Sequence, residues 1–179
     1  VIFRELELPG AFLLELERHE DARGFFARAF CREELEEHGL DGSVSQANLS
    51  YNRERGTLRG MHYQVAPSQE AKTVRCVAGA LHDVIVDLRP GSATFGRHTA
   101  VELSAANRAS LYVPAGFAHG FQTLAPDTEV FYLMSEPYAP EHARGFRHDD
   151  PELGIRWPLA VRVISERDAT LPTFAERAP

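Results

Sequence analysis

A chain of 179 residues, 44% hydrophobic and 25% charged, can bury one substantial core, and no composition break or long linker divides it, so one domain over 1–179 is expected. A formal charge of −7 and a pI near 5.6 argue against a nucleic-acid surface, where clustered Lys and Arg must face a polyanion. No run reaches the apolar length that spans a bilayer, and two cysteines, Cys31 and Cys76, are too few for a disulfide framework; buried thiols in a reducing cytoplasm are the expectation.

The first clear element is a helix over Arg32–His38, acidic early and stopped by Gly39. Short alternating or β-branched runs then predict strands at Gly56–Tyr63, Thr73–Ala78, Leu81–Leu88, His98–Leu103, Ser110–Val113, Gly120–Leu124 and Glu129–Met134. Gly, Pro and Asn punctuate the gaps, as at Arg89-Pro90-Gly91-Ser92 and Pro114-Ala115-Gly116. This spacing predicts an antiparallel sandwich or barrel. From Arg162 onward the pattern reads as a strand-like piece followed by an extended tail that is still within reach of a site.

Arg59-Gly60-Met61-His62-Tyr63-Gln64 and Lys72 place a potential base and a cation on neighbouring strands. A neutral imidazole removes a carbon-bound proton only if the charge moving onto an adjacent carbonyl oxygen is stabilised, and an ammonium does that. Each residue also has a plain reading: His62 as a hydrogen-bonded core histidine, Lys72 and Arg75 as a charged strand end, Tyr132 as a wall residue. Against these, Arg59, Lys72, His119 and Tyr132 are all polar groups in or beside strands that are otherwise apolar. Arg59 and His62 are three residues apart, which points them to opposite faces of a regular strand. A bulge at Gly60, a rim position for Arg59, or service to a neighbouring subunit would each reconcile them.

Pro114-Ala115-Gly116-Phe117-Ala118-His119 resembles the second cupin motif, P-x-G-x-x-H. Many cupins bind a metal through two histidines one residue apart, a glutamate and this later histidine. Here His62-Tyr63-Gln64 leaves only His62 and His119, a poor donor set without a carboxylate.

A longer ordered series runs through nearly the whole chain: Asp21-Ala22-Arg23-Gly24-Phe25-Phe26, Gln46-Ala47-Asn48-Leu49-Ser50, Thr57 to Gln64, Val86 to Gly96, Val101 to Ala105, Val113 to Phe121, Asp149-Asp150-Pro151 and Ile164 to Asp168. It resembles the RmlC family of nucleotide-sugar epimerases, typified by dTDP-4-dehydrorhamnose 3,5-epimerase. The resemblance implies an all-β cupin double-stranded β-helix (jelly roll) with a few short helices, and a homodimer with exchanged N-terminal strands. It also implies an enzyme using neither cofactor nor metal that acts on a nucleoside-diphosphate 4-keto-6-deoxy sugar. The first candidate reaction converts dTDP-4-dehydro-6-deoxy-D-glucose to dTDP-4-dehydro-L-rhamnose. Position by position it implies His62 as base, Asp168 as its carboxylate partner, Tyr132 as proton donor and Lys72 as enolate-stabilising cation. Substrate-binding positions are Arg23, Phe26, Arg28, Gln46, Asn48, Arg59, His119 and Arg167. Histidine ordinarily titrates near 6.5 and tyrosine near 10, which suits that division of labour.

Three positions depart from the family pattern: Arg28 and Ala143 stand where glutamates are common, and Arg167 where lysine is. Arg28 is either part of a changed nucleotide pocket or a surface charge. CDP- or GDP-linked substrates, a 3- or 5-mono-epimerase, a metal-dependent cupin and a non-catalytic sugar binder are the competing readings.

Overall fold

The computed structural model describes residues 1–177. The strands in chain order are β1 (Ile2–Glu5), β2 (Phe12–Glu15), β3 (His19–Asp21), β4 (Gly24–Phe26), β5 (Gln46–Asn52), β6 (Leu58–Gln64), β7 (Lys72–Ala78) and β8 (Ala80–Asp87), then β9 (His98–Ser104), β10 (Ser110–Val113), β11 (Phe117–Thr123), β12 (Thr128–Met134) and β13 (Ala143–Gly145). Two short helices, α1 (Arg32–Glu37) and α2 (Glu166–Ala169), interrupt them. A six-stranded sheet, ordered β1-β2-β10-β7-β12-β5, faces a five-stranded sheet, β13-β6-β11-β8-β9, with β3-β4 as a separate hairpin. All the strand pairs are antiparallel. This is the jelly roll expected from the sequence resemblance.

The alternation along β8 shows how sequence sets the layers. Leu81 and Ile85 point into the core between the sheets with Val74, Leu111, Phe117, Phe121 and Val130. Val84 and Val86 point outward, where Phe146, Leu153 and Phe174 of the C-terminal third cover them with Met61 and Ala118. A strand buried on both faces reads as a nearly continuous apolar run, as β8 does. Helix α1 buries Leu35 against Leu14, Ala71 and Tyr112.

The later strands fall within a few residues of their expected limits. β11 begins three residues earlier than expected, which sets His119 inside the strand rather than at its mouth. The first five strands and β13 carry no clear period and were not expected. The C-terminal expectation is half met: Val163 bridges Thr57 in parallel, but an extended tail does not follow. Ser165 instead caps α2, its Oγ accepting the Asp168 N–H at 3.1 Å.

The decisive local feature lies between β6 and β11. His119 pairs with His62 and Phe121 with Arg59, so three steps along β6 match two along β11. The extra residue is a bulge, and it returns Arg59 and His62 to one face. Gly60 and Gly120 make it possible. A Cβ on Gly60, whose φ is +121°, would sit 2.5 Å from the Gly120 Cα; one on Gly120 would sit 2.6 Å from the Met61 Sδ. Gly60→Ala is therefore expected to cost about 2–3 kcal/mol of stability in urea unfolding. A loss below about 0.5 kcal/mol would show that the strands can separate to admit the methyl.

Candidate active site

Residues from both sheets line a cavity of about 350 Å³ at one end of the sandwich. His62 and His119 face each other across the β6–β11 pairing. On the opposite sheet Met134 pairs with Lys72, and Tyr132 pairs with Val74 on one side and Asn48 on the other. Since side chains two residues apart share a face, that register aims Lys72, Tyr132 and Asn48 into the same space. Arg59, Ser50, Arg167 and Asp168 complete the wall. A second cavity of about 210 Å³ shares Asn48, His62, Lys72 and Arg167 with the first and adds Gln46, Glu70, Tyr138, Ala143 and Arg144. A larger hollow of about 560 Å³, bordered by Tyr63, Leu88, Phe95 and Arg177, contains none of the residues expected to act.

His62 donates from Nε2 to Asp168 Oδ1 at 2.7 Å, while the Gly60 N–H donates to Oδ2 at 3.1 Å. With Nε2 carrying the hydrogen, Nδ1 keeps its lone pair. The imidazole is 39% exposed and its carboxylate only 6%, so the base is open to a ligand and its partner is not. Burial opposes ionisation of Asp168. The His62 hydrogen bond and field, with the Gly60 N–H and Ser165, more than offset it and hold the carboxyl below its ordinary value of 3.8.

A second pair lies behind the first: His119 Nε2 is 2.5 Å from Asp83 Oδ1, with Asp83 wholly buried. Lys72 Nζ is 2.8 Å from Glu70 Oε1, both side chains buried. Tyr132 meets the Ser50 hydroxyl at 3.2 Å and stands edge-on to the His119 ring. Burial, first, and the nearby Asp83 charge push its phenol well above 10, against the Ser50 hydrogen bond and Arg59. The hydroxyl therefore keeps its proton across the neutral range. Arg59 reaches β5, donating from Nε to Asn52 Oδ1 at 2.7 Å.

Such a site holds a base on one sheet and an acid and a cation on the other. It can deprotonate a carbon next to a carbonyl from one face, hold the enolate and reprotonate from the other face. Among the described residues no three His, Cys, Asp or Glu side chains cluster as metal ligands.

His62, Lys72, Tyr132, Asp168, Asn48, Arg59, His119 and Arg167 thus line one cavity, and Gln46 lines the adjoining one. Arg23, Phe26 and Arg28 line neither. Arg23 pairs with Asp21 at 2.6 Å and is 90% exposed; Phe26 is 75% exposed. Arg28 pairs with Glu34 at 2.6 Å. Sequence reasoning missed Asp83, Glu70 and Ser50. Asp83 leaves a trace, a carboxylate on the inward phase of an apolar strand.

The model of the dTDP-4-dehydrorhamnose 3,5-epimerase family matches residues 5–176. A curated dTDP-4-dehydrorhamnose 3,5-epimerase of Sinorhizobium fredii is 42% identical over 175 residues, covering 97% of this chain and 90% of its own. The crystal structure of the same kind of enzyme from Elizabethkingia anophelis superposes with a TM-score of 0.95 at 36% identity, covering 97% of this chain and 96% of that one. The Bacillus anthracis structure, with TDP and PPi bound, gives 0.92 at 42% identity and covers 97% and 99%.

Asp168→Asn removes the charge behind His62 while keeping an acceptor. It is expected to lower kcat at least ~100-fold with a native circular dichroism spectrum. Because the folded carboxyl titrates below its unfolded value of 3.8, its contribution to stability is complete above that value and is lost as pH falls through the folded one. The variant should accordingly lose less stability than the parent between neutral pH and pH 3. Equal acid sensitivity of the two proteins in urea unfolding would contradict the assigned pairing.

Proposed function

The chain belongs to the dTDP-4-dehydrorhamnose 3,5-epimerase family, and from that membership we propose how its residues carry out the reaction. It is an isomerase that converts dTDP-4-dehydro-6-deoxy-D-glucose to dTDP-4-dehydro-L-rhamnose. The C4 ketone acidifies the protons at C3 and C5, so one mechanism serves both centres. In our reading His62 Nδ1 removes each proton and Asp168 stabilises the imidazolium that forms. Lys72 takes up the negative charge on O4. Tyr132 returns a proton to the opposite face, and inversion follows. The observation that carries this reading is the division of His62 and the Tyr132–Lys72 pair between facing sheets around one cavity.

The active unit in this reading is a homodimer, in which the β3-β4 hairpin of one copy brings Arg23 and Phe26 to the cavity of the other. Their exposure, and their absence from the lining of either cavity of their own chain, support it. So do Leu49, Tyr51 and Val77, which leave the outer face of the six-stranded sheet apolar and exposed. Arginine forks suit a diphosphate, which they bind through paired hydrogen bonds. Arg28, tied to Glu34, is read as a surface charge. The cytoplasm is the proposed location, consistent with two free cysteines.

Incubation in deuterium oxide with dTDP-4-keto-6-deoxyglucose, followed by NMR, is expected to put deuterium at both C3 and C5 as the inverted sugar appears. Label at one centre alone would make this chain a mono-epimerase. Exchange only with a CDP- or GDP-linked analogue would mean that Ala143, which offers no side-chain hydrogen bond in the second cavity, marks a different base. A mixture of Arg23→Ala and His62→Ala chains tests the exchanged hairpin, because one site of each mixed dimer carries both lesions and the other carries neither. Recovery of up to about half of the activity per mixed dimer is expected, whereas no recovery would place Arg23 at the site of its own chain.

A further inference from the structure

Lys72 is the only lysine in the chain; every other one of its 19 Lys and Arg residues is arginine. Its side chain is 8% exposed, and its close ionic partner is Glu70, itself 4% exposed. The two flank Ala71 where the chain enters β7. Ala71 is held at both polar atoms: its N–H donates to Ser135 Oγ at 2.8 Å and its carbonyl accepts the Ser135 N–H at 3.0 Å. Carboxylate and ammonium therefore issue from a fixed backbone on the same side.

Charge around Lys72 is lopsided. His62 on β6, His119 on β11 and Arg59 face the same cavity, with Arg167 beside Asp168 on α2; Arg144 on β13 faces the adjoining one. Asp168 and Glu70 are the carboxylates lining these cavities among the described residues. Asp168 is committed at both oxygens to His62 and Gly60. Asp83, behind His119, is committed at one oxygen to that ring. Glu70 is the carboxylate paired with Lys72, and, like Asp83, it keeps its second oxygen buried with no hydrogen-bond partner. Burying a carboxylate is costly unless it is paired, and the ammonium here is its evident compensation.

We propose that Glu70 is the positioning residue of the catalytic cation: it binds one of the three ammonium hydrogens, keeps Lys72 charged among the arginines, and leaves the other two for the enolate oxygen. The role of Lys72 at the enolate rests on the function proposed above; its pairing with Glu70 does not.

Protein grown on 13C,15N-lysine would give a single lysine side-chain signal, which separates the two questions. Glu70→Gln is expected to lose the ammonium 1H–15N cross-peak that the Glu70 contact protects from exchange with water, and Glu70→Asp, which keeps the charge, to restore it. At neutral pH, Glu70→Gln should lower kcat about tenfold while changing KM less than about threefold. In a Lys72→Met background, Glu70→Gln should cost nothing further, since its effect runs through the lysine. An ammonium cross-peak that persists with Gln as with Glu, or a further loss of rate in the double variant, would overturn the assignment. If the parent moved no protons on any nucleotide sugar, the proposed function would fall, while the lysine ammonium signal would still decide whether Glu70 holds Lys72.

Discussion

The site depends on a close approach of two backbones. β6 and β11 come together at Gly60 and Gly120 so tightly that neither has space for a methyl group, and this contact absorbs the extra residue of β6. Without it, strict alternation would send Arg59 and His62 to opposite faces of the sheet. With it, both line the same cavity. The same turn of chain presents the Gly60 N–H to Asp168. One bulge thus positions Arg59, His62 and the Asp168 carboxylate behind His62.

A second regularity concerns charge. His62, His119 and Lys72 each have their own carboxylate, Asp168, Asp83 and Glu70, at 2.7, 2.5 and 2.8 Å. In every pair the carboxylate is almost fully buried. Where both partners are buried and charged, as in Lys72–Glu70, such a pair contributes little to net stability, yet loss of one partner typically costs about 3–5 kcal/mol. Their effect is to fix which nitrogen carries a proton and where a cation sits before any substrate arrives. Dipoles and charges set in advance need no rearrangement as charge develops, which is where electrostatic catalysis gains most.

How much of this could be read from the sequence depended on whether a residue's role was local. The later strands were legible because β7, β8 and β12 are short runs rich in β-branched, aliphatic and aromatic residues, bounded by turn signals. The N-terminal strands were not: β3 and β4 are exposed at every residue and β1 nearly so, which erases the alternation that reveals a strand. His62, Lys72, Tyr132 and His119 stood out as polar groups in apolar surroundings. Glu70 and Asp83 did not, because their importance lies in pairing with residues on another strand or beyond an intervening alanine. Asp168 came only from resemblance, since nothing local to α2 tells that a four-residue helix will reach β6. The offset of Arg59 from His62 was a conflict visible in the sequence, and Gly60 between them was the sign of its resolution.

The placement of Lys72 bears on how a single base and a single acid could serve two carbons. C3 and C5 flank the same carbonyl, so a cation fixed at O4 holds the one atom common to both enolates. With that oxygen held, the two carbons lie on either side of the anchor, and a small rotation of the ring about it would present each in turn to His62. In the proposed mechanism the facing sheets keep His62 and Tyr132 on opposite sides for both events, so inversion at each centre would follow from the same geometry. A lysine suits this anchor better than an arginine, because a compact ammonium follows one oxygen through such a rotation, whereas a planar fork holds two acceptors in a fixed plane. In the proposed mechanism this is a reason for lysine at position 72 in a chain whose other strong cations are all arginine.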